Sequence, residues 1–304
     1  MADATMNTAA AGRGPLAESR LRALAAFRLV DALFHSVTFA SALFVLVLLG
    51  AIIASLVIGA WPAIEKFGFG FLVSQRWNTG DEIFGGLPAL YGTLMSSFIA
   101  MLIAVPVGLG IALFLTELCP MPLRRPIGIA SELLAGIPSI IYGIWGFYTL
   151  TPIFHQSLLT ASLILAIMVL PFVTAISRDV FATVPPVLKE AAYGIGCTTW
   201  EVARTVVIPY TRVGVVGGVM LGLGRALGET MAVTFVIGNS HNIATDLLSP
   251  ATTISATIAN EFQESDGMLR ATLLELGLLL FIITFVVLAI ARIMLMRLER
   301  KAGS

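Results

Sequence analysis

The 304-residue chain is 58% hydrophobic and only 12% charged, and its mean hydropathy is +0.95. A soluble domain of this size carries roughly twice that charged fraction, so the composition excludes a soluble globular protein. The sequence also lacks the alternating strands of ~10 residues that are typical of a transmembrane barrel. We therefore expect an all-α polytopic membrane protein.

The N-terminal part, residues 1–30, precedes the first long apolar run. Its first 18 residues are rich in Ala, Thr and Gly, which predicts a disordered tail. In residues 19–34 arginines alternate with apolar residues, which indicates either a basic helix on the inner membrane surface or a helical lead-in to the first span. We expect residues 1–30 to be a cytoplasmic tail with a basic surface helix, and residues 31–304 to be the transmembrane domain.

Six apolar runs approach or exceed the ~20 residues that cross ~30 Å of hydrocarbon. The third is expected to break at Gly136 and Pro138, and the fourth at Pro171. Such breaks are tolerated in a membrane because neighbouring helices can satisfy the freed backbone groups. The predicted transmembrane helices are residues 36–60, 90–116, 126–149, 158–183, 212–238 and 272–296.

The basic residues are distributed unevenly between the two sides of these spans. Of the 18 Lys and Arg residues, fourteen lie on the side of both termini, three lie on the other side, and Arg225 falls inside a span. Cytoplasmic connections carry the excess of basic residues, so both termini are predicted to be cytoplasmic. The outer side then has two longer connections, residues 61–89 and 239–271, the second with a possible short helix at 253–262.

A segment of mixed polarity, residues 185–210, separates the fourth and fifth apolar runs. Pro186 suits the first turn of a helix over residues 187–193. Gly194 and Gly196 then permit a sharp bend.

A second short helix is predicted after that bend. Thr198 and Glu201 have the spacing of a capping box, so the helix can begin there and reach about Val207. Pro209 is expected to prevent a smooth continuation into the fifth span. The segment should therefore form a helix, a bend and a helix across the cytoplasmic face.

The same segment carries a specific spacing: Glu-Ala-Ala, three residues, Gly, nine residues, then aliphatic-x-aliphatic-Pro. In this it resembles the EAA loop of bacterial ABC importer permeases, which docks into a cleft of the ATP-hydrolysing subunit. The alternative is an amphipathic connector that rests on lipid headgroups. The resemblance implies that the ATPase-coupling residues are Glu190, Ala191, Ala192, Gly196, Val206, Ile208 and Pro209.

Two charged residues, Arg225 and Glu229, lie within the predicted fifth span. Charges inside a membrane are costly and mark a pathway or a buried pair. Their i, i+4 spacing predicts that both lie on one helix face, where Glu229 could orient the arginine. The planar guanidinium fork suits the oxygens of phosphate, although a purely structural ion pair is the alternative. The helix break at Pro138 and Ser139 could also line the pathway.

Five further segments carry recognisable motifs: residues 84–93, 136–143, 224–233, 248–250 and 258–262. In these segments the sequence resembles the phosphate importer permeases of the PstC type. The resemblance implies an ABC importer type I (MetI-like) core in the bacterial inner membrane. It also implies a PstA-type permease, two ATP-hydrolysing subunits and an outer phosphate-binding protein as partners.

The chain is not expected to be an enzyme. It contains no G-x-x-x-x-G-K-[ST] loop, so ATP and its Mg²⁺ should belong to partner subunits and this chain should bind no cofactor. His, Cys and acidic residues show no metal-ligand spacing.

Three other functions remain open on the residues alone. The first is an ABC permease for another oxyanion, sulfate or molybdate, because an arginine does not by itself distinguish tetrahedral anions. The second is an ion-gradient-coupled carrier, which should show inverted repeats with paired broken helices. The third is a scaffold or sensor subunit that keeps the loop only for assembly.

Overall fold

The computed structural model describes residues 15–302, with side chains for most residues between 30 and 297. Residues 1–14 of the predicted tail lie outside the described residues. The chain divides into two units, Met1–Ser55 and Leu56–Ser304.

The described part of the first unit is one helix, α1 (Pro15–Phe67), which continues into the second unit. It runs without a break through residues 19–34, and the location of this part on the membrane surface stays a prediction. Its apolar side chains between Val30 and Ser55 are nearly all exposed, as expected where the solvent is lipid.

The remainder of the described chain is also helical. Within residues 15–302 the only extended pairings are two isolated bridges. Two π-helical segments, Phe114–Leu118 and Ala203–Val207, and one 3₁₀ turn, Phe262–Glu264, interrupt the α-helices. The helices are α2 (Gly70–Val73), α3 (Leu87–Leu113), α4 (Met121–Ala135), α5 (Ser139–Thr149), α6 (Thr151–Phe154), α7 (Leu158–Ala182), α8 (Pro186–Gly194), α9 (Thr199–Val202), α10 (Ile208–Leu227), α11 (Met231–Val236), α12 (Ile254–Glu261) and α13 (Gly267–Ala302).

Among the described residues, five helices are long and apolar enough to cross a membrane, and the bent pair α4–α5 would make a sixth. This confirms the predicted helical, polytopic class. The five are Leu33–Phe67, Leu87–Leu118, Leu158–Ala182, Thr199–Leu227 and Gly267–Arg297.

The third predicted span breaks where expected, but the break is a turn of 91° between α4 and α5. Gly136 caps α4, and proline disfavours helix in the residue before it, so Gly136 and Pro138 together favour a break here. The Tyr142 hydroxyl donates to the Leu134 carbonyl at 2.8 Å and closes the corner. Residues 126–149 are therefore not one straight span.

The expected break at Pro171 is wrong. α7 stays helical through Pro171, which is buried. Small residues of α3 and α10 hold it from two sides: Gly108 lies against Val173, and Gly222 against Val169. A Cβ on either glycine would approach those valines at about 3 Å, so the helices already touch. This packing keeps α7 intact despite the missing backbone donor.

The prediction for Pro209 is also wrong. The chain remains helical from Thr199 to Leu227 because the π-helical segment Ala203–Val207 precedes the proline. The Ile208 N–H donates to the Ala203 carbonyl, five residues back. This wider turn accommodates a proline ring that an α-helical turn would exclude.

We call the two ends of the second unit the inner end and the outer end, and we define each by the short helix that it contains. The inner end holds α8, where Ala192 is buried with Ala112 of α3 and Phe181 of α7. The outer end holds α12, where the Ile254 N–H donates to the Thr93 hydroxyl of α3 at 2.9 Å. α3, α7 and α10 connect the two ends.

Candidate functional site

Arg225 lies in the last turn of α10, on an exposed face, about halfway between the two ends. Its guanidinium carbon is 4.8 Å from the centre of the Phe172 ring on α7. At ~1.5 Å per residue, Phe172 lies about 21 Å along a helix of about 37 Å. The arginine is therefore near the middle of the span, where a cation–π contact replaces part of its lost hydration.

Glu229 does not share a helix face with Arg225, so that prediction is wrong. α10 ends at Leu227, Gly228 caps it, and Glu229 lies in the short break before α11. Its Oε1 accepts a hydrogen bond from the Ala232 N–H at 3.4 Å and so serves the start of α11. No carboxylate of the described side chains forms an ion pair with Arg225 within 4.0 Å.

Pro138 and Ser139 lie at the corner between α4 and α5. Pro138 is exposed and caps α5, which begins at Ser139 with backbone N–H groups that no preceding turn uses. Such a helix start favours negative charge.

The two helix breaks lie at the same depth. α5 and α11 pack side by side: a Cβ on Gly143 would lie 2.9 Å from the Ala232 Cα, and one on Gly146 would lie 3.4 Å from Val236. The residues in contact are 89 and 90 positions apart in sequence, so the two helices run in the same direction and the start of α5 lies near the break before α11. The corner before α5 and the break before α11 therefore form one layer, and Arg225 lies one turn of α10 further toward the inner end.

Residues 185–210, which we call the coupling segment, form the predicted helix and bend, but the second helix continues into α10 instead of ending near Val207. Pro186 begins α8, and Gly196 has a φ of +92°, which a residue with a side chain rarely adopts. The Thr198 hydroxyl accepts from the Glu201 N–H at 3.3 Å, and the Glu201 carboxylate accepts from the Thr198 N–H at 2.7 Å. This capping box starts α9, so the first helix, the bend and the start of the second helix are confirmed.

The residues of the coupling segment separate into an exposed and a buried set. Glu190 and Ala191 are exposed, and so is Trp200, at 64%. Ala192 is buried inside its own chain and packs α8 onto α3 and α7. It is Ala191, and not Ala192, that could let a partner backbone approach. The other predicted coupling residues are exposed or half-buried: Gly196, Val206, Ile208 and Pro209.

Two ion pairs at the inner end, one buried and one partly exposed, were not predicted. The Lys189 Nζ lies 2.6 Å from Oε1 of Glu117, and these side chains are only 19% and 8% exposed. Arg178 Nη2 lies 2.6 Å from Oε1 of Glu132. The partners are far apart in sequence, so no local spacing could have signalled either pair.

The outer end also contains an unpredicted polar cluster. Trp77 stacks on His241 with ring centres 4.6 Å apart and planes at 3°. Both bind Glu261: the indole N–H donates to Oε2 at 3.2 Å, and His241 Nε2 lies 3.0 Å from Oε1. This outer cluster joins the two long outer connections to α12 and borders a polar cleft of about 610 Å³.

The chain is similar to known transport proteins. A family model described as a binding-protein-dependent transport system inner membrane component matches residues 104–302. A phosphate transport system permease protein PstC of Mesorhizobium japonicum is 60% identical over 91% of this chain and 94% of its own length. The PstC of Pasteurella multocida is 50% identical over 90% and 94%, respectively. A probable PstC of Methanocaldococcus jannaschii is 34% identical over 84% and 90%.

Solved structures share the fold. A bacterial alginate ABC transporter, in complex with its alginate-bound periplasmic protein, matches with a TM-score of 0.63 and 16% identity, covering 86% of this chain and 93% of that one. The inward-facing MetNI methionine ABC transporter matches with a TM-score of 0.55 and 18% identity, covering 70% and 94%. The predicted fold, an ABC importer permease core, is confirmed.

Proposed function

The chain belongs to the binding-protein-dependent transport system inner membrane components, and within them to the PstC-type phosphate transport permeases; from this premise we propose that it is the membrane-spanning permease subunit of an ATP-driven importer of inorganic phosphate. The observation that carries the proposal is Arg225. It is an exposed cation at mid-depth beside two helix breaks, with no carboxylate partner among the described side chains.

The corner before α5 and the break before α11, which form one layer next to Arg225, support a substrate pathway at this depth. A guanidinium without a carboxylate can donate two parallel hydrogen bonds to a phosphate oxyanion. The start of α5, at Pro138 and Ser139, adds backbone N–H donors and a favourable helix dipole about one helical turn nearer the outer end than Arg225. Glu229 lines the same layer and positions the start of α11. Phosphate would then pass from the outer end, along the α5 start, to Arg225.

The partners of such a permease are a second permease, an ATP-hydrolysing subunit and an outer substrate-binding protein. We propose that the second permease is of the PstA type and that two ATP-hydrolysing subunits are present. ATP and Mg²⁺ bind to those subunits. The inner end carries the excess of Lys and Arg, so it faces the cytoplasm, and the outer cleft faces the binding protein.

Coupling to ATP hydrolysis would use the exposed part of residues 185–210. Glu190, Ala191 and Gly196 present a charged and small-residue surface to the ATP-hydrolysing subunit. Closure of that subunit displaces α8, and the spans packed against α8 shift between inward-facing and outward-facing arrangements. Such a cycle is alternating access driven by differential stabilisation of two states.

Phosphate uptake into proteoliposomes tests the proposal. The complex that co-purifies with this chain is reconstituted with the outer binding protein, with ATP enclosed or omitted. ATP-dependent accumulation of phosphate but not of sulfate or molybdate is expected. Uptake of sulfate or molybdate instead would move the cargo to another oxyanion. Uptake driven by an ion gradient without ATP would contradict the proposal and favour a gradient-coupled carrier.

A further inference from the structure

The ion pair between Glu117 and Lys189 joins the coupling segment to a membrane span. Lys189 is on α8, next to Glu190, and Glu117 is in the π-helical segment Phe114–Leu118 that ends the α3 span. The Nζ to Oε1 distance is 2.6 Å, and both side chains are largely buried. Among the described residues, Lys189 is the only member of α8 in an ion pair.

A buried ion pair is a poor way to gain stability, because the cost of removing two charges from water offsets most of their attraction. An apolar pair of similar volume would hold the two helices together at least as well. An ion pair instead fixes the position of α8 relative to the α3 span, because any slip between them would leave both charges buried and unpaired. The wide π turn supports this interpretation, since such turns re-aim side chains and are frequent at functional sites.

The α3 span connects this pair directly to the outer end. Leu87–Leu118 is one continuous helical element of 32 residues, about 48 Å long at ~1.5 Å per residue. At its outer end, Gly92 is packed so closely that a Cβ would overlap the Thr252 carbonyl oxygen, and Thr93 accepts from the Ile254 N–H. A displacement of Glu117 can therefore reach α12 through one continuous helical element that is packed against α12 at its outer end.

We propose that Glu117 and Lys189 are positioning residues that transmit the movement of α8 to the α3 span, and through it to the outer end. This inference rests on the proposed function, because it assumes that an ATP-hydrolysing subunit moves α8. It assigns a transport role to two residues outside the EAA spacing. It also predicts that a variant can keep its ATP-hydrolysing subunits and still lose the link between ATP hydrolysis and phosphate uptake.

The test compares phosphate taken up per ATP hydrolysed in reconstituted complexes. The double variant Glu117→Met/Lys189→Met removes both charges without leaving either one unpaired. It is expected to retain its ATP-hydrolysing subunits and to hydrolyse ATP, while phosphate per ATP falls about tenfold or more. The charge swap Glu117→Lys/Lys189→Glu should restore the ratio to within about threefold of the unaltered complex.

The matched control is the exposed outer pair Lys66–Glu82, with a distance of 3.0 Å and exposures of 40% and 57%. The variant Lys66→Met/Glu82→Met should leave phosphate per ATP unchanged, because exposed pairs contribute little.

Three results would overturn the inference. A double variant that keeps phosphate per ATP within about twofold of the unaltered complex would show that the pair only packs. If the charge swap lowers phosphate per ATP as much as the neutral variant does, the attraction between the two charges is not what couples α8 to the α3 span. A neutral variant that fails to assemble would make the pair a folding requirement. Failure of the unaltered complex to take up phosphate with ATP would instead count against the proposed function.

Discussion

Basic side chains at the inner end have carboxylate partners, whereas the basic side chain in the middle of the spans has none among the described residues. At the inner end, Lys189 and Arg178 each have a carboxylate oxygen at 2.6 Å. At mid-depth, Arg225 rests on the Phe172 ring, and no described carboxylate reaches it. A cation that is already paired fixes two elements together. A cation without a carboxylate is available to an anion, which is what a phosphate pathway needs.

Removal of the mid-depth cation should have the largest effect. Arg225→Gln is expected to lower phosphate uptake about 100-fold, because it removes two charge-assisted hydrogen bonds to the anion. The measurement is ATP-dependent uptake by reconstituted complexes whose subunit content is unchanged. Arg225→Lys should retain part of the activity, since it keeps the charge but loses the planar fork.

Glu229→Gln is the control for that change. It removes a charge from the same layer but not a partner of Arg225, and the amide oxygen can still accept from the Ala232 N–H. We expect an effect much smaller than that of Arg225→Gln. Equal losses in the two variants would restore the idea of a working Arg225–Glu229 pair.

Reversal of a charge on the exposed face of α8 should have the next largest effect. Glu190→Lys places a cation on the exposed face of α8 and should lower ATP-driven uptake about tenfold by weakening contact with the ATP-hydrolysing subunit. The readouts are uptake and co-purification of that subunit. Glu65→Lys, an exposed reversal near the outer end, serves as the control. Normal uptake in the Glu190 variant would contradict the docking of this face.

A packing change in α3 should act on stability. Gly92→Ala forces a Cβ against the Thr252 carbonyl and should lower the free energy of unfolding by about 1–3 kcal/mol. Gly110→Ala in the same helix meets open space and should be neutral or raise stability by about 0.5–1 kcal/mol. Thermal unfolding in detergent measures both. Equal midpoints for the two variants would contradict the close contact at the outer end.

The smallest effect is expected at the bend of the coupling segment. Thr198→Ala removes the capping hydroxyl and should cost about 1 kcal/mol of stability. Thr205→Ala is the matched control, because its hydroxyl bonds only to the Glu201 carbonyl within the helix. The same thermal unfolding assay should place the midpoint of the Thr198 variant below that of the Thr205 variant.

The coupling segment could be predicted from sequence because its signals are local. Pro186 begins a helix, Gly196 adopts a positive φ, and Thr198 with Glu201 forms the capping box, all from spacings of a few residues. The same local rules failed at Pro171 and Pro209. There, packing against neighbouring helices or a π turn keeps the chain helical, and neither is visible in a short window.

The candidate pathway could be predicted only in part. An arginine in an apolar run identified Arg225 as intramembrane, but the i, i+4 rule assumed that the helix continued to Glu229. The helix ends at the Gly228 cap, and α11 beyond it packs against α5 through Ala232 and Gly143, which are distant in sequence. The Glu117–Lys189 pair was missed for the same reason.

The central claim is that the face of α10 bearing Arg225 lines an aqueous, alternating pathway. Leu221 lies one turn away on that face and is 66% exposed. Leu221→Cys, with Cys119 and Cys197 replaced by Ser, can be probed in the assembled complex with a negatively charged, membrane-impermeant thiol reagent. The account predicts reaction from the outer side with trapped ATP and from the inner side without nucleotide. No reaction from either side in either state would show that lipid or protein covers this face, and would contradict the pathway.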